Sequence, residues 1–120
     1  DLLAAIADFS AIEELAEVTA ATRTALRHAP AVVIDANVPL AVLAEIEASI
    51  APVDEGQIVW WEPTSVAKGA VVLDSAVWRR VTHTSPNVAE LLAMAHAAEA
   101  RGCLGSGLVD TKAASEHAAR

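Results

Sequence analysis

The chain has 120 residues, 54% of them hydrophobic, and sets 16 acidic against 8 basic side chains for a formal net charge of −8. That length bounds it to a single domain, and so few, scattered cations argue against a nucleic-acid or anionic-membrane surface, which needs clustered Lys and Arg to meet phosphate. The lone Cys103 cannot close an internal disulfide, and no run is apolar enough for a membrane span, so the sequence reads as a cytoplasmic protein. Starting at Asp1 rather than methionine, it also reads as a piece of something longer.

Asp1 to Phe9 is apolar and alanine-rich, a strand remnant or a loop laid on the body. Ser10-Ala-Ile-Glu13 has the form of a capping box, with Glu13, Glu14 and Glu17 near the positive end of a helix and Arg23, Arg27 and His28 near its negative end. The spacing predicts one helix over 11–27, with Ile12, Leu15, Thr19 and Leu26 toward the core and His28 in solvent. Residues 31–36, A-V-V-I-D-A, form an unbroken β-favouring run, the pattern of a strand buried on both faces of a parallel sheet. Asp35, Ala36 and Asn37 follow at its carboxyl end, the edge where ligands bind in open α/β sheets. Asp35 is read equally as a cap for loop amides. Pro39 then opens a helix to Ile50 that buries Val42, Leu43 and Ile46.

A turn over 51–57, punctuated by Pro52 and Gly56, leads to a strand over 58–61. Trp60 and Trp61 are adjacent, point to opposite faces and are expected to pack under flanking helices. Glu62-Pro63-Thr64-Ser65 is the loop at that strand's end; Thr64 or Ser65 caps a short helix to Val72, with Lys68 in its first turn. A cation there opposes the helix dipole and suits an anion beside it. Leu73 to Arg80 reads as a loop or helical turn anchored by Trp78. Val81 to Thr84 is the next strand, followed by Ser85 as cap, Pro86 as first helical residue, and Leu91, Leu92, Met94 and Ala95 as the apolar face. Asn87 and Glu90 lie three apart in the first turn of that helix, where amides and the dipole attract phosphate and a carboxylate can reach a metal through water. Gly102 stops the helix, and 99–120 is a flexible or helical tail.

Strands alternating with helices at this spacing predict an α/β fold, a right-handed, doubly wound, mainly parallel sheet with flanking helices, in a single partial domain over 1–120. No P-loop, G-x-G-x-x-G or G-x-S-x-G motif is present, and His83, His96, His117 and Cys103 have no metal-ligand spacing.

Three segments in order, V-V-I-D-A-N-V-P-L, V-W-W-E-P-T-S-V-A-K and V-T-H-T-S-P-N-V-A-E-L, resemble the middle of a PfkB/ribokinase-family carbohydrate kinase over 29–98. Within that family the chain is most similar to pseudouridine kinases, which share a D-x-N loop, a proline and serine loop ending in lysine, and the P-N-x-x-E turn. The resemblance implies a partial ribokinase-like fold and transfer of the γ-phosphoryl of ATP, with Mg²⁺, to a sugar or nucleoside hydroxyl, the ribose 5′-hydroxyl of pseudouridine. It implies Asn37, with Asp35, at the sugar, and Glu62 and Lys68 beside the phosphate cleft. Asn87 and Glu90 are implied as the pair that organises Mg²⁺ and the nucleotide phosphates. The family's glycine-rich G-A-G-D segment, whose aspartate is the base, is not in the sequence; G-S-G-L-V-D at 105–110 shares only glycines and an acid. The N-terminal strands and sugar lid are missing too. The implied protein is therefore a kinase of which this stretch alone lacks turnover, with a homodimer or the remainder of the kinase chain as partner. Two other readings are a non-catalytic α/β module for ligand binding or oligomerisation, and a phospho-acceptor domain using Asp35. The second lacks an acidic cluster, since Asp8 is the only plausible acidic partner ahead of Asp35 and Lys112 is in the tail.

Overall fold

The computed structural model describes residues 10–103; the expectations for Asp1 to Phe9 and for 104–120 lie outside them. Its centre is a parallel sheet of three short strands, β1 (Ala31–Asp35), β2 (Ile58–Glu62) and β3 (His83–Thr84), in the order β1-β2-β3. β1 and β2 run in register from Ala31 opposite Ile58 to Asp35 opposite Glu62. β3 adds only Trp60 opposite His83 and Trp61 opposite Thr84, half the length expected from Val81. Thr82 stays outside the strand but its N–H donates to the Val59 carbonyl at 2.8 Å, and its hydroxyl accepts from Val59 N–H at 3.0 Å.

Around the sheet lie α1 (Ser10–Glu13), α2 (Ala20–His28), α3 (Leu40–Ser49) and α4 (Val88–Ala100), with 3-10 turns over Val53–Glu55, Gly69–Asp74 and Ala76–Arg80. The single helix expected over 11–27 is thus divided. Thr19, expected in the core, is instead the N-cap of α2, accepting from Thr22 N–H at 3.2 Å. Just before it Val18 turns inward to 6% exposure, and its N–H donates to the Glu45 carboxylate at 3.0 Å. Leu15 is 43% exposed for the same reason: the break before α2 takes it off the helix face that reaches the core. Leu26 does pack against the core.

Burial alternates along β1 and β2, so neither strand is buried on both faces. Val32, Ile34, Val59 and Trp61 face the helices and join Val42, Leu43, Ile46, Ile50, Val72 and Val77 in one cluster. The opposite face carries Val33 at 71% and Ile58 at 42% exposure. The described residues therefore form one helical layer on one face, not a doubly wound sandwich. The strand order explains this: successive crossovers that step the same way across a parallel sheet fall on the same face when they share one hand. Trp61 and Trp60 do point oppositely; Trp61 is fully buried with its indole N–H donating to Gly69 O at 2.9 Å, whereas Trp60 stands on the bare face. Gly69 is needed there, because a Cβ would meet the Pro63 side chain at 3.0 Å.

One polar side chain joins the lower end of this layer. Gln57, 9% exposed, accepts from Ala51 N–H at 2.9 Å and donates to the carbonyls of Leu26 and Ala29, both at 2.7 Å. It thus ties the end of α2, the end of α3 and the start of β2 together. Replacing it leaves the buried Ala51 N–H and two partly buried carbonyls without this partner, at a cost of about 1 kcal/mol or more for each that water does not reach. Gln57→Ala is expected to lower stability by about 2–4 kcal/mol in urea unfolding. Val53→Ser, at a side chain 75% exposed, should change it by less than about 0.5 kcal/mol.

Ion pairs close the outside of the layer. Arg27 grips Glu55 through two bonds of 2.8 Å, and Arg101 grips Asp74 at 2.7 and 2.8 Å. Those guanidinium hydrogen bonds hold the Glu55 and Asp74 carboxyls below their ordinary values, against the opposing effect of desolvation. A carboxyl lowered in the folded state stabilises above its unfolded pKa and loses that contribution as pH falls through the folded value. The melting temperature of the native chain is therefore expected to fall more steeply below about pH 4 than that of a Glu55→Gln/Asp74→Asn variant. Added salt should narrow the gap, because both pairs are exposed.

Candidate functional site at the strand tips

Because the strands are parallel, all their carboxyl ends lie along one edge. Each tip is shaped by a short polar loop. At the end of β1, Asp35 Oδ1 accepts from Asn37 N–H at 2.8 Å, an Asx turn that bends the chain toward Pro39 and α3. The capping role open to Asp35 is thus realised. Ala36 N–H reaches across to Glu62 O at 2.9 Å and is shared with Thr64 Oγ1 at 3.3 Å. Thr64 itself has φ of 63°, the one non-glycine residue with positive φ among those described. A β-branched residue there costs on the order of 1–2 kcal/mol, which the contacts between the two tips must offset.

The loop after β2 then brings Lys68 back to β1. Lys68 Nζ donates to Asn37 Oδ1 at 2.9 Å, and Asn37 is only 9% exposed. The helix expected from Thr64 or Ser65 is instead an isolated turn, with Ser65 Oγ accepting from Lys68 N–H at 3.3 Å, followed by the 3-10 turn that begins at Gly69. Lys68 precedes that turn rather than standing in the first turn of an α-helix. Thr64, with its positive φ, stands just outside the isolated turn.

Beyond β3, the N-cap is Asn87, not Ser85, and Pro86 stands before the cap, not at the first helical position. Asn87 Oδ1 accepts from Glu90 N–H at 3.0 Å while Glu90 Oε2 accepts from Asn87 N–H at 2.9 Å. This is a capping box, and it draws Glu90 to 7% exposure. The spacing of Asn87 and Glu90 therefore has a local structural use whatever else the pair does. Ser85, freed from capping, turns back onto β2: its hydroxyl donates to Glu62 Oε2 and accepts from the Trp60 indole N–H, the latter at 3.2 Å. Trp60 also lies parallel to the His83 ring, with centroids 5.7 Å apart.

The fold thus brings Asp35, Asn37 and Lys68 together at the first two tips and sets Glu62 beside Asp35 by register. It places Asn87 and Glu90 on the same edge at the start of α4. Sequence reasoning missed Thr64, whose positive φ is usually announced by Gly or Asn, and the bridging role of Ser85, which a helix-start motif conceals. An apolar groove of about 350 Å³ lies elsewhere, under α4 among Trp61, Val72, Trp78, Leu91 and Met94. Its apolar walls offer nothing to a polyphosphate, and Leu91, expected inside, is 52% exposed at its rim. Among the described residues no cluster of three or more His, Cys, Asp or Glu side chains is arranged to hold a metal ion. No family model, curated protein or solved structure matches the chain.

The capping box makes a direct prediction. Asn87→Ala should lower stability by about 1 kcal/mol, and Asn87→Asp, which keeps the acceptor, should recover most of it in thermal melts followed by circular dichroism.

Proposed function

We propose that residues 29–98 form the ligand-facing layer of an ATP-dependent sugar or nucleoside kinase of PfkB/ribokinase type, with pseudouridine as the acceptor. The single observation that carries the reading is the edge of parallel strand tips on which Asp35, Asn37, Glu62, Lys68, Asn87 and Glu90 all fall. Phosphoryl transfer depends chiefly on positioning and on neutralising charge, and this edge has the parts for both. Lys68 Nζ is held at Asn37 Oδ1, which keeps its positive charge at the strand tips, where it would attract a phosphate oxygen. Asn37 uses its Oδ1 for Lys68, so its amide N–H₂ is the group with which it meets a sugar hydroxyl.

The donor set fits a cation carried in on the nucleotide and does not fit a resident one. Glu90 commits one carboxylate oxygen to the cap, leaving the other to reach Mg²⁺ through water, and Mg²⁺ bound with phosphates keeps most of its waters. When bound, Mg·ATP supplies the transferable phosphoryl group and the charge neutralisation that goes with it. The chain's own residues bind and orient; the G-A-G-D base is not among them, so no step of proton removal is assigned to this chain.

A second reading, a non-catalytic α/β module that associates with itself, is favoured by the bare sheet face, where Val33 is 71% exposed. Parallel sheets are covered on both faces, and self-association is one way to cover this one. A monomer in light scattering at about 100 μM would overturn it, since affinities of functional dimers exceed that level.

The kinase reading is tested by titrating the ¹⁵N-labelled chain with ATP, with and without Mg²⁺, and then with pseudouridine. Mg²⁺-dependent shifts at Lys68, Asn87 and Glu90 are expected, with no ADP formed. Lys68→Ala should weaken nucleotide binding by about tenfold, the worth of one charge-assisted hydrogen bond. Absence of any shift at millimolar nucleotide would overturn the reading, and ADP formation would overturn the assignment of the base outside the chain.

A further inference from the structure

Glu62 stands at the end of β2 with its carboxylate on the bare face of the sheet, in line with Val33 and Trp60 below it on the alternating pattern. A glutamate side chain with three rotatable bonds sweeps a wide volume unless something holds it. Here two residues do so in series. The Trp60 indole N–H donates to Ser85 Oγ at 3.2 Å, and the Ser85 hydroxyl donates onward to Glu62 Oε2. An indole nitrogen is only a donor, so its bond fixes the direction in which the hydroxyl proton must point, which is at the carboxylate. Trp60 is itself held flat by the His83 ring, 5.7 Å away and within 4° of parallel.

We infer that Ser85 and Trp60 are positioning residues for Glu62, a relay that fixes one carboxylate oxygen and presents the other, Oε1, to ligand. The inference rests on the reading of the strand tips as a kinase site. An ionised carboxylate only accepts hydrogen bonds, so Oε1 takes a donor: a water on nucleotide-borne Mg²⁺ or a hydroxyl of the acceptor sugar. Asp35, the registered neighbour of Glu62, makes a bare phosphate oxygen a poor occupant of the same place. Ser85 precedes the capping box, which holds the start of α4 independently of it, so removing the hydroxyl leaves the fold's other fastenings in place.

The indole N–H of Trp60 gives the relay its own signal, separable from those of Trp61, which donates to Gly69 O, and of Trp78. In the ligand-free ¹⁵N-labelled chain, Glu62→Gln should shift the Trp60 indole resonance in the native background and leave it unmoved in a Ser85→Ala background. Trp61 and Trp78 resonances unchanged in both will show that the core is intact. With ligand, Ser85→Ala should weaken by about tenfold whichever of Mg·ATP or pseudouridine Glu62 serves, and Ser85→Thr, which keeps the hydroxyl, should restore it. The two titrations tell the Mg²⁺-borne water from the sugar hydroxyl. An equal Trp60 shift with and without Ser85, or ligand affinity unaffected by Ser85→Ala, would overturn the relay. If neither ligand binds the native chain, the kinase reading falls, and with it the assignment of Oε1 to a ligand, while the ligand-free comparison still decides whether Ser85 and Trp60 hold Glu62.

Discussion

Everything at the candidate site depends on the five-residue parallel ladder between β1 and β2. That pairing is fixed at its lower end by Ile58 N–H donating to Pro30 O at 3.0 Å and at its upper end by Ala36 N–H donating to Glu62 O at 2.9 Å. A slip of either strand by one residue would turn its own inward pair, Val32 and Ile34 or Val59 and Trp61, outward and draw its terminal carboxylate, Asp35 or Glu62, toward the core. The apolar cluster beneath α3 therefore selects the register, and the register in turn places two carboxylates side by side at the rim. Core packing and site geometry are, at this level, a single constraint.

The rim is then built by short-range polar chemistry rather than by packing. Asp35 bends its own loop, Thr64 adopts a left-handed backbone to stitch the two tips, Lys68 reaches back to Asn37, and Asn87 and Glu90 cap α4 reciprocally. Asp35 and the Asn87–Glu90 pair act within their own loops, whereas Thr64 and Lys68 reach from one strand tip to the next. Asn37 retains an amide, and Glu62 and Glu90 an oxygen each. An edge built in this way is ordered before any ligand arrives, which lowers the entropy that binding must overcome.

Much of the architecture was legible in the sequence because its signals are periodic. The β-favouring run before Asp35, the paired tryptophans, the Pro39 helix and the Gly102 stop all carry patterns that backbone geometry enforces, and Gly102 does take φ of 65°. What escaped was set by tertiary context. The division of 11–27 turns on Val18 donating to Glu45, a partner 27 residues away. The one-sided sheet follows from crossover placement, which no local pattern records. For the site, the residue types at the strand ends were readable, but their pairings were not. Asn87 and Glu90 have one spacing that serves a capping box and a phosphate site alike, and only coordinates reveal that the cap is made.

The unequal faces of the sheet carry a consequence for how this chain tolerates change. On β1, Val32 and Ile34 answer to a close-packed interior, where the loss of a methylene is felt. Val33, lodged between them in the chain, answers to water alone among the described residues. Alternate positions of one strand thus meet unlike demands: packing fixes the volume of Val32 and Ile34, while a polar side chain at Val33 leaves that interior untouched.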